Sequence, residues 1–423
     1  MRRIGVLNTA GLAALLLCGL PCEGEHKQPA APLVPTEMKP AVRIAVGPLG
    51  YEPPPRFYLT YRMSSATLGF FDDDHLLFTF RVGGLLKRSP DDRPDDDDQQ
   101  IRAVVLDVST GKVTKQAEWR MHDRGAYLWP YPEGRFLVRV RDSLFLTGES
   151  LELEPYLTFD AGLREVEISP DRSLTVLEAN EPDKPHTMVS SLGAPGAAKA
   201  LKVLILPSGE KTPIGESESE SAALLPLMDG GLLDTLEGKF PGYWVMRDVP
   251  FHGEAKTVAE MKSDCRPSAQ PVSGQVALLV GCYGQGDDRP VEAISMDGQM
   301  LWQSRWANRY VWGWFDYAEN GSRFAYESVE VTRAISSFDA LYPEDIAAQM
   351  VGVYDTETGK LVLVKDASPV LTAGQNVALS PDGTRFAVLR DGAVEIYDLP
   401  PVTERQGTGN RQQGTGKKAG GSR

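Results

Sequence analysis

Histidine and cysteine are scarce in this chain, with five His and four Cys among 423 residues. The histidines, His26, His75, His122, His186 and His252, do not cluster in sequence. No His-Glu-x-x-His helix, Gly-x-Ser-x-Gly elbow or Cys-x-x-Cys pair occurs. That removes the zinc-peptidase, serine-hydrolase and dithiol chemistries which those spacings serve. His252-Gly-Glu254 is half of a zinc-deaminase signature, without the cysteines that should follow it. Boxes of the sialidase type, Ser-x-Asp-x-Gly-x-Thr-Trp, are missing too. The apolar run Gly11–Leu20 is shorter than the roughly 20 residues that a membrane span needs, so no integral membrane protein is expected. Positive charge is in deficit, with 44 Lys and Arg against 58 Asp and Glu, a net charge of -14. Residues 1–24 and 401–423 are each net positive, so the body between them is more acidic still. Such a body repels a phosphate backbone, which excludes nucleic acid as the expected partner.

What is present at the ends predicts an address. Arg2 and Arg3 precede the apolar run, and Gly24 offers a small residue for cleavage, so residues 1–24 read as a secretory signal. Cys18 follows Leu17 and Cys22 follows Pro21, whereas a lipidated Cys wants a small residue before it; no lipid anchor is expected. Residues 25–42, rich in Pro, Ala and Lys, read as a flexible tether, and residues 401–423 as a disordered polar tail. The expected location is the periplasm or the exterior. In an exported chain the two remaining cysteines, Cys265 and Cys282, read as a disulfide. Cys282 ends the run Val-Ala-Leu-Leu-Val-Gly-Cys, so the bridge would pin a strand.

The body repeats itself. "ALSPDGTRFAVLRDGAVEIYDLP" at 378–400 runs from a strand end through Ser-Pro-Asp-Gly into a second strand. "EISPDRSLTVLEAN" at 167–180 has the same order, and "YAENGSRFAYESV" at 317–329 has it with Asn-Gly. Seven such turns align, near Asp74, Glu133, Asp171, Asp229, Ser273, Asn320 and Asp382, about 50 residues apart on average. The spacing is uneven enough that six or eight units also fit. A second pattern follows most turns: "AVVLDVSTGKVTKQAEW" at 103–119, "LKVLILPSGEKTPI" at 201–214, "VEAISMDGQMLWQSRW" at 291–306 and "VGVYDTETGKLVLV" at 351–364 read as hairpins. Units of this length with four short strands predict an all-β fold. It is a β-propeller, with seven blades of four-stranded antiparallel sheets, over residues 43–400. Residues 378–400 then form a last blade that is short by one strand. An N-terminal strand should close the ring, and alternating "RFYLTYR" at 56–62 is the candidate.

The Ser-Pro-Asp-Gly turn with Arg-Phe-Ala-Val after it, and the Tyr-Asp-x-x-x-Gly-Lys hairpin, resemble WD-repeat-like and TolB-like bacterial propellers over most of residues 43–400. The layout is also similar to secreted propellers of unknown role in soil bacteria. The resemblance implies the fold and carries no catalytic residues. The expected role is a non-enzymatic protein-binding or scaffolding module, its partner a protein of the cell envelope or a small ligand. The alternative is a carbohydrate-active hydrolase or lyase that uses carboxylates at the channel mouth.

Individual sites are few. The insertion "LKRSPDDRPDDDDQQ" at 86–100 carries Asp91, Asp92, Asp95, Asp96, Asp97 and Asp98 with no Gly between them. It reads as a solvated charge run rather than a calcium loop. "SSFDALYPEDIAAQM" at 336–350 interrupts another blade, and Pro343 with Glu344 and Asp345 predicts a short helix through Ala348. "LWQSRWANRYVWGWFDY" at 301–317 holds four of the seven Trp. Aromatics of this kind fill the space between blades, and Trp312 or Trp314 is the choice for an exposed contact. "MDGQMLW" resembles the repeat of quinone-dependent dehydrogenase propellers, which carry it in almost every blade; a single copy here predicts no cofactor. No catalytic or metal-binding residue is assigned. Asn320-Gly-Ser322 matches a glycosylation sequon but falls on a repeat turn, whose chemistry already explains it.

Overall fold

The computed structural model describes residues 33–53, 66–83, 86, 98–121, 126–160, 162–180, 201–219, 227–228, 231–250, 253–282, 288–307, 310–333, 342–371 and 375–402. The chain begins with β1 (Val42–Ala45). Blade 1 is β2 (Ala66–Phe70), β3 (His75–Val82), β4 (Gln99–Asp107) and β5 (Val113–Met121). Blade 2 is β6 (Leu128–Tyr131), β7 (Arg135–Val140), β8 (Ser143–Thr147) and β9 (Glu154–Thr158). Blade 3 is β10 (Leu163–Ile168), β11 (Leu174–Asn180), β12 (Leu201–Pro207) and β13 (Gly215–Ser219). Blade 4 is β14 (Leu227–Met228), β15 (Gly231–Glu237), β16 (Tyr243–Pro250) and β17 (Lys256–Lys262). Blade 5 is β18 (Ser268–Pro271), β19 (Val276–Val280), β20 (Asp288–Ser295) and β21 (Met300–Ala307). Blade 6 is β22 (Tyr310–Tyr317), β23 (Arg323–Val331), β24 (Ile346–Asp355) and β25 (Leu361–Ala367). Blade 7 is β26 (Val377–Leu379), β27 (Arg385–Arg390) and β28 (Ala393–Asp398), completed by β1. The molecule is a seven-bladed propeller of four-stranded antiparallel sheets.

Six of the aligned turns fall where the repeat requires them, each joining the first two strands of a blade, and each sequence hairpin joins the last two; the turn near Asp229 lies outside the described residues. Side chains make the turns rigid. Asp382 Oδ1 accepts from the Thr384 amide at 2.8 Å and from Ser380 Oγ at 2.7 Å, while the Arg385 amide donates to Ser380 Oγ. Asp171, Ser173 and Ser169 repeat that network in blade 3. The Arg that follows reaches the next blade. Arg323 Nη1 donates to the Gly383 carbonyl at 2.7 Å, and Arg385 donates to the Asp73 carbonyl. Asn320 Nδ2 donates to the Asp382 carbonyl at 2.7 Å, so the sequon Asn serves as a blade-to-blade contact. Apolar clusters fill the seams. Trp306 stacks on Tyr326 at 4.2 Å between blades 5 and 6, and Trp302 Nε1 donates to the Thr356 carbonyl.

Two expectations need correction. The closing strand is β1, with Val42 opposite Ile396 and Ala45 opposite Ala393. Residues 56–62, the strand expected there, lie outside the described residues. β1 offers only four residues, of which Ile44 alone is buried, so its alternation is easily overlooked. Ahead of it, the Thr36 amide donates to the Val364 carbonyl at 2.9 Å, and Lys365 Nζ donates to the carbonyls of Thr36 and Met38. The end of the segment expected to be a tether is thus held against β25. The second correction concerns 343–348. Pro343–Asp345 form one 3-10 turn, and Ile346 already opens β24. Pairing with β23 offers Ile346 and Ala348 a ladder that outcompetes a single helical turn.

Cys265 and Cys282 are joined, with Cα atoms 5.7 Å apart. The bridge ties the segment entering blade 5 to the end of β19, and the Asp264 amide donates to the Cys282 carbonyl beside it. Among the described residues no helix is long and apolar enough to cross a membrane.

Strand alternation gives the disc two faces. Turns between first and second and between third and fourth strands emerge on one, the turn face. Connections between second and third strands, and between blades, emerge on the other, the loop face.

Candidate functional site in the central channel

The first strands of six blades, β2, β6, β10, β18, β22 and β26, wall a cavity of about 390 Å³ on the propeller axis. Its wall is largely apolar, with Leu68, Val166, Ile168, Phe315 and Val377. Three carboxylates break that wall. Glu167 lies on β10, Asp316 on β22 and Glu327 on β23. Glu327 sits one strand back from the axis and would normally be screened. It reaches the cavity because β22 bulges between Val311 and Trp314, and Gly313 brings no side chain. A Cβ at Gly313 would stand 2.5 Å from the Tyr326 hydroxyl, so only glycine fits.

The three acids are held differently. Asp316 Oδ2 accepts from the Leu379 amide at 2.5 Å and so ties blade 6 to blade 7. Burial raises its carboxyl to about 6, against that bond and the field of Arg172. Glu327 is 3% exposed, and its Oε1 has no hydrogen-bond partner among the described residues. Burial, then the Asp316 charge, raises it to about 8. Glu167 Oε2 is also unpartnered, and burial followed by Glu178 and Glu165 raises it to about 8. Glu167 and Asp316 keep partial surface exposure because that surface is the cavity itself, although protein surrounds them. Beside them the Tyr317 hydroxyl accepts from Gln270 Nε2 at 2.5 Å, and burial raises it far above the ordinary phenol.

Both ends of the cavity use strained backbone. Arg172 occupies the position that Gly383 holds in the matching turn of blade 7, with φ of 59° against 72°. Its side chain is buried and crosses the axis, placing Nη1 2.9 Å from Glu319 Oε2 in blade 6. This ion pair bars the turn face. Toward the other end stands Gln375, also at positive φ, 75°. It accepts from Thr67 Oγ1 at 3.3 Å and donates to the Leu128 carbonyl at 3.4 Å, linking blades 7, 1 and 2. Holding a non-glycine residue there costs about 1–2 kcal/mol, and such outliers gather at sites.

Of the expected aromatic contacts, Trp314 is 41% exposed and lines this cavity. The Trp312 side chain lies outside the described residues. Of the acidic insertion, Asp98 is described: it is buried and paired with Arg120 and Arg141, a structural use. Sequence reading missed Glu167, Asp316, Glu327 and Arg172. A signal did exist for Arg172, an Arg where the repeated turn has Gly.

A second constellation sits on the turn face. His75 Nδ1 lies 3.0 Å from Asp72 Oδ2 and 3.4 Å from Glu149 Oε1, joining blades 1 and 2. The bond to Asp72 raises the imidazole above its ordinary value, and Asp72 Oδ1 also accepts the amides of Asp74 and His75. These contacts account for the group as a seam between blades.

No family model matches the chain, and no curated protein matches it. Solved structures do, at low identity. The putative TolB of Agrobacterium tumefaciens is 14% identical, with a TM-score of 0.38, over 68% of this chain and 95% of that one. The Pyrococcus horikoshii acylaminoacyl peptidase is 10% identical with a TM-score of 0.45; the match covers 81% of this chain and 53% of the peptidase. Kuenenia stuttgartiensis hydrazine synthase is 13% identical with a TM-score of 0.34, over 83% of this chain and 80% of that chain. The likeness is one of fold.

Proposed function

We propose that this protein is an exported, non-enzymatic binding propeller that holds a small ligand in its central channel. The observation that carries this reading is the 390 Å³ cavity with buried carboxylate oxygens that no group among the described residues satisfies. Pockets of about 300–1,000 Å³ with apolar walls and a few convergent polar groups are the usual shape of a small-molecule site. Leaving a buried acceptor unmade costs about 1–3 kcal/mol, a cost that a bound ligand would offset. The test is a thermal-shift screen of the mature chain against charged and neutral small molecules. A ligand that raises the melting temperature for wild type, and less for Trp314→Ala, supports the reading; a panel without effect removes it.

A protein partner is the second reading, favoured by exposed aromatics on the loop face. Phe240 is 68% exposed in the β15–β16 connection and Tyr342 is 54% exposed in the β23–β24 connection. Strands β3 and β23 end on the same face at Val82 and Val331; most of the two insertions that follow lies outside the described residues. Capture of one envelope protein that is lost with Phe240→Ser and Tyr342→Ser would favour it. The hydrolase alternative draws on the channel carboxylates, and turnover of an oligosaccharide panel would install it instead.

A further inference from the structure

We infer that the channel is built for a small organic cation: an ammonium or guanidinium group held by Glu327, Glu167 and Asp316, with its carbon body against Trp314. This rests on the channel reading above and names the ligand class. Three observations lead to it. First, the cavity is lined by three carboxylates and, among the described residues, a single cation, Arg172, whose guanidinium stands at Glu319. An anion would meet the carboxyl groups and no cation beyond Arg172, which is already paired with Glu319. Second, Glu327 Oε1 and Glu167 Oε2 are buried on residues that line the cavity and have no hydrogen-bond partner among the described residues. Third, the space suits an organic body. A bare metal ion needs six or so oxygens drawn into a tight cage, whereas these walls are wide and mostly apolar. An exposed indole on the wall offers a face for a cation or for its alkyl stem.

The charge balance of binding is defined by the neighbours. Glu327 faces Asp316; Glu167 faces Glu165, Glu178 and Tyr317; Asp316 faces Arg172, which also meets Glu319. Near pH 7 Asp316 is ionised, while Glu327 and Glu167 hold their protons before a cation arrives. A cation arriving beside them draws each carboxyl into its ionised form, and the proton leaves to solvent. Affinity therefore rises with pH between about 6 and 9, as the cost of removing those protons falls.

The experiment is calorimetric titration of the mature full chain with putrescine, agmatine and choline, with glucose as the neutral control and succinate as the anionic one. Titrations run at pH 6 and at pH 8.5. At least one cation should bind, at least tenfold tighter at the higher pH, with succinate inert. Glu327→Gln should weaken that cation tenfold or more and flatten its pH dependence. Trp314→Ala, which removes an exposed side chain, should weaken it without changing the pH dependence. Glu292→Gln, altering a carboxylate on β20, should leave it unchanged. Binding of glucose with all cations inert would overturn the cation inference and leave the channel reading standing. Cation binding indifferent to both channel variants would mean surface association and overturn it. Silence from every probe, neutral ones included, would remove both.

Discussion

Strand β23 buries two ionisable side chains and treats them in opposite ways. Arg323, 1% exposed, has its guanidinium bonded on every side: Nε to Asp355 Oδ1 at 2.9 Å, Nη1 to the Gly383 carbonyl and Nη2 to the Pro400 carbonyl. Glu327, further along the strand, keeps Oε1 without a hydrogen-bond partner among the described residues. The first arrangement is a strut between blades 6 and 7. The second leaves a buried acceptor on the wall of the channel. A buried charge that is fully bonded belongs to the architecture, whereas one left unmatched on a cavity wall points to something the protein meets later.

Breaking the matched side of that comparison should have the largest effect. Asp355→Ala strands a buried guanidinium and should lower unfolding free energy by about 3–5 kcal/mol in urea titration. A loss below 1 kcal/mol would mean that the carbonyls alone suffice. Next comes the covalent seam of blade 5. Cys265→Ser opens a bridge spanning 17 residues and should cost about 3 kcal/mol by the chain-entropy estimate. Equal free-thiol counts in denatured wild-type protein before and after reduction would show that no bridge forms.

The unmatched side should respond in the reverse sense. The Glu327 carboxyl is raised from 4.5 to about 8, so the folded chain holds its proton where the unfolded chain has released it. Its contribution to stability is full below pH 4.5 and is lost as pH rises through 8. Glu327→Gln should therefore leave stability unchanged near pH 4 and raise it by about 1 kcal/mol or more at pH 8.5. A variant less stable than wild type at pH 8.5 would show that the carboxylate has a partner after all. The smallest effect is expected at Arg172. Arg172→Gly relieves the positive φ and loses the pair with Glu319, so stability should stay within about 1 kcal/mol of wild type. The turn-face end of the channel, though, should admit larger ligands.

The fold was legible because its turns are chemical. Ser380, Asp382 and Thr384 close a network that needs such side chains at those positions, and Ser169, Asp171 and Ser173 repeat it with Ser in place of Thr. Hairpins such as 351–364 announce themselves through Gly359 at positive φ. The closing strand was not legible, since four residues with one buried side chain carry little pattern. Of the site, Trp314 could be singled out from composition. Glu167, Asp316 and Glu327 could not, because each follows ordinary strand alternation and becomes a neighbour of the others only when the ring closes. Glu327 did leave a trace: it stands within Arg-Phe-Ala-Tyr-Glu-Ser-Val, a stretch too apolar to expect a free carboxylate.

Ring closure by β1 also sets a timetable. Arg43 pairs with Glu395 across 352 positions of chain. During synthesis the strand that completes the last blade emerges first and waits for nearly the whole molecule before its partner exists. Until then it is a short, loose ribbon, and blade 7 has an open edge. A chain interrupted anywhere before residue 393 cannot close, however well its early blades have formed. Closure thus works as a completeness check, passed only by a polypeptide that has been made to its final blade.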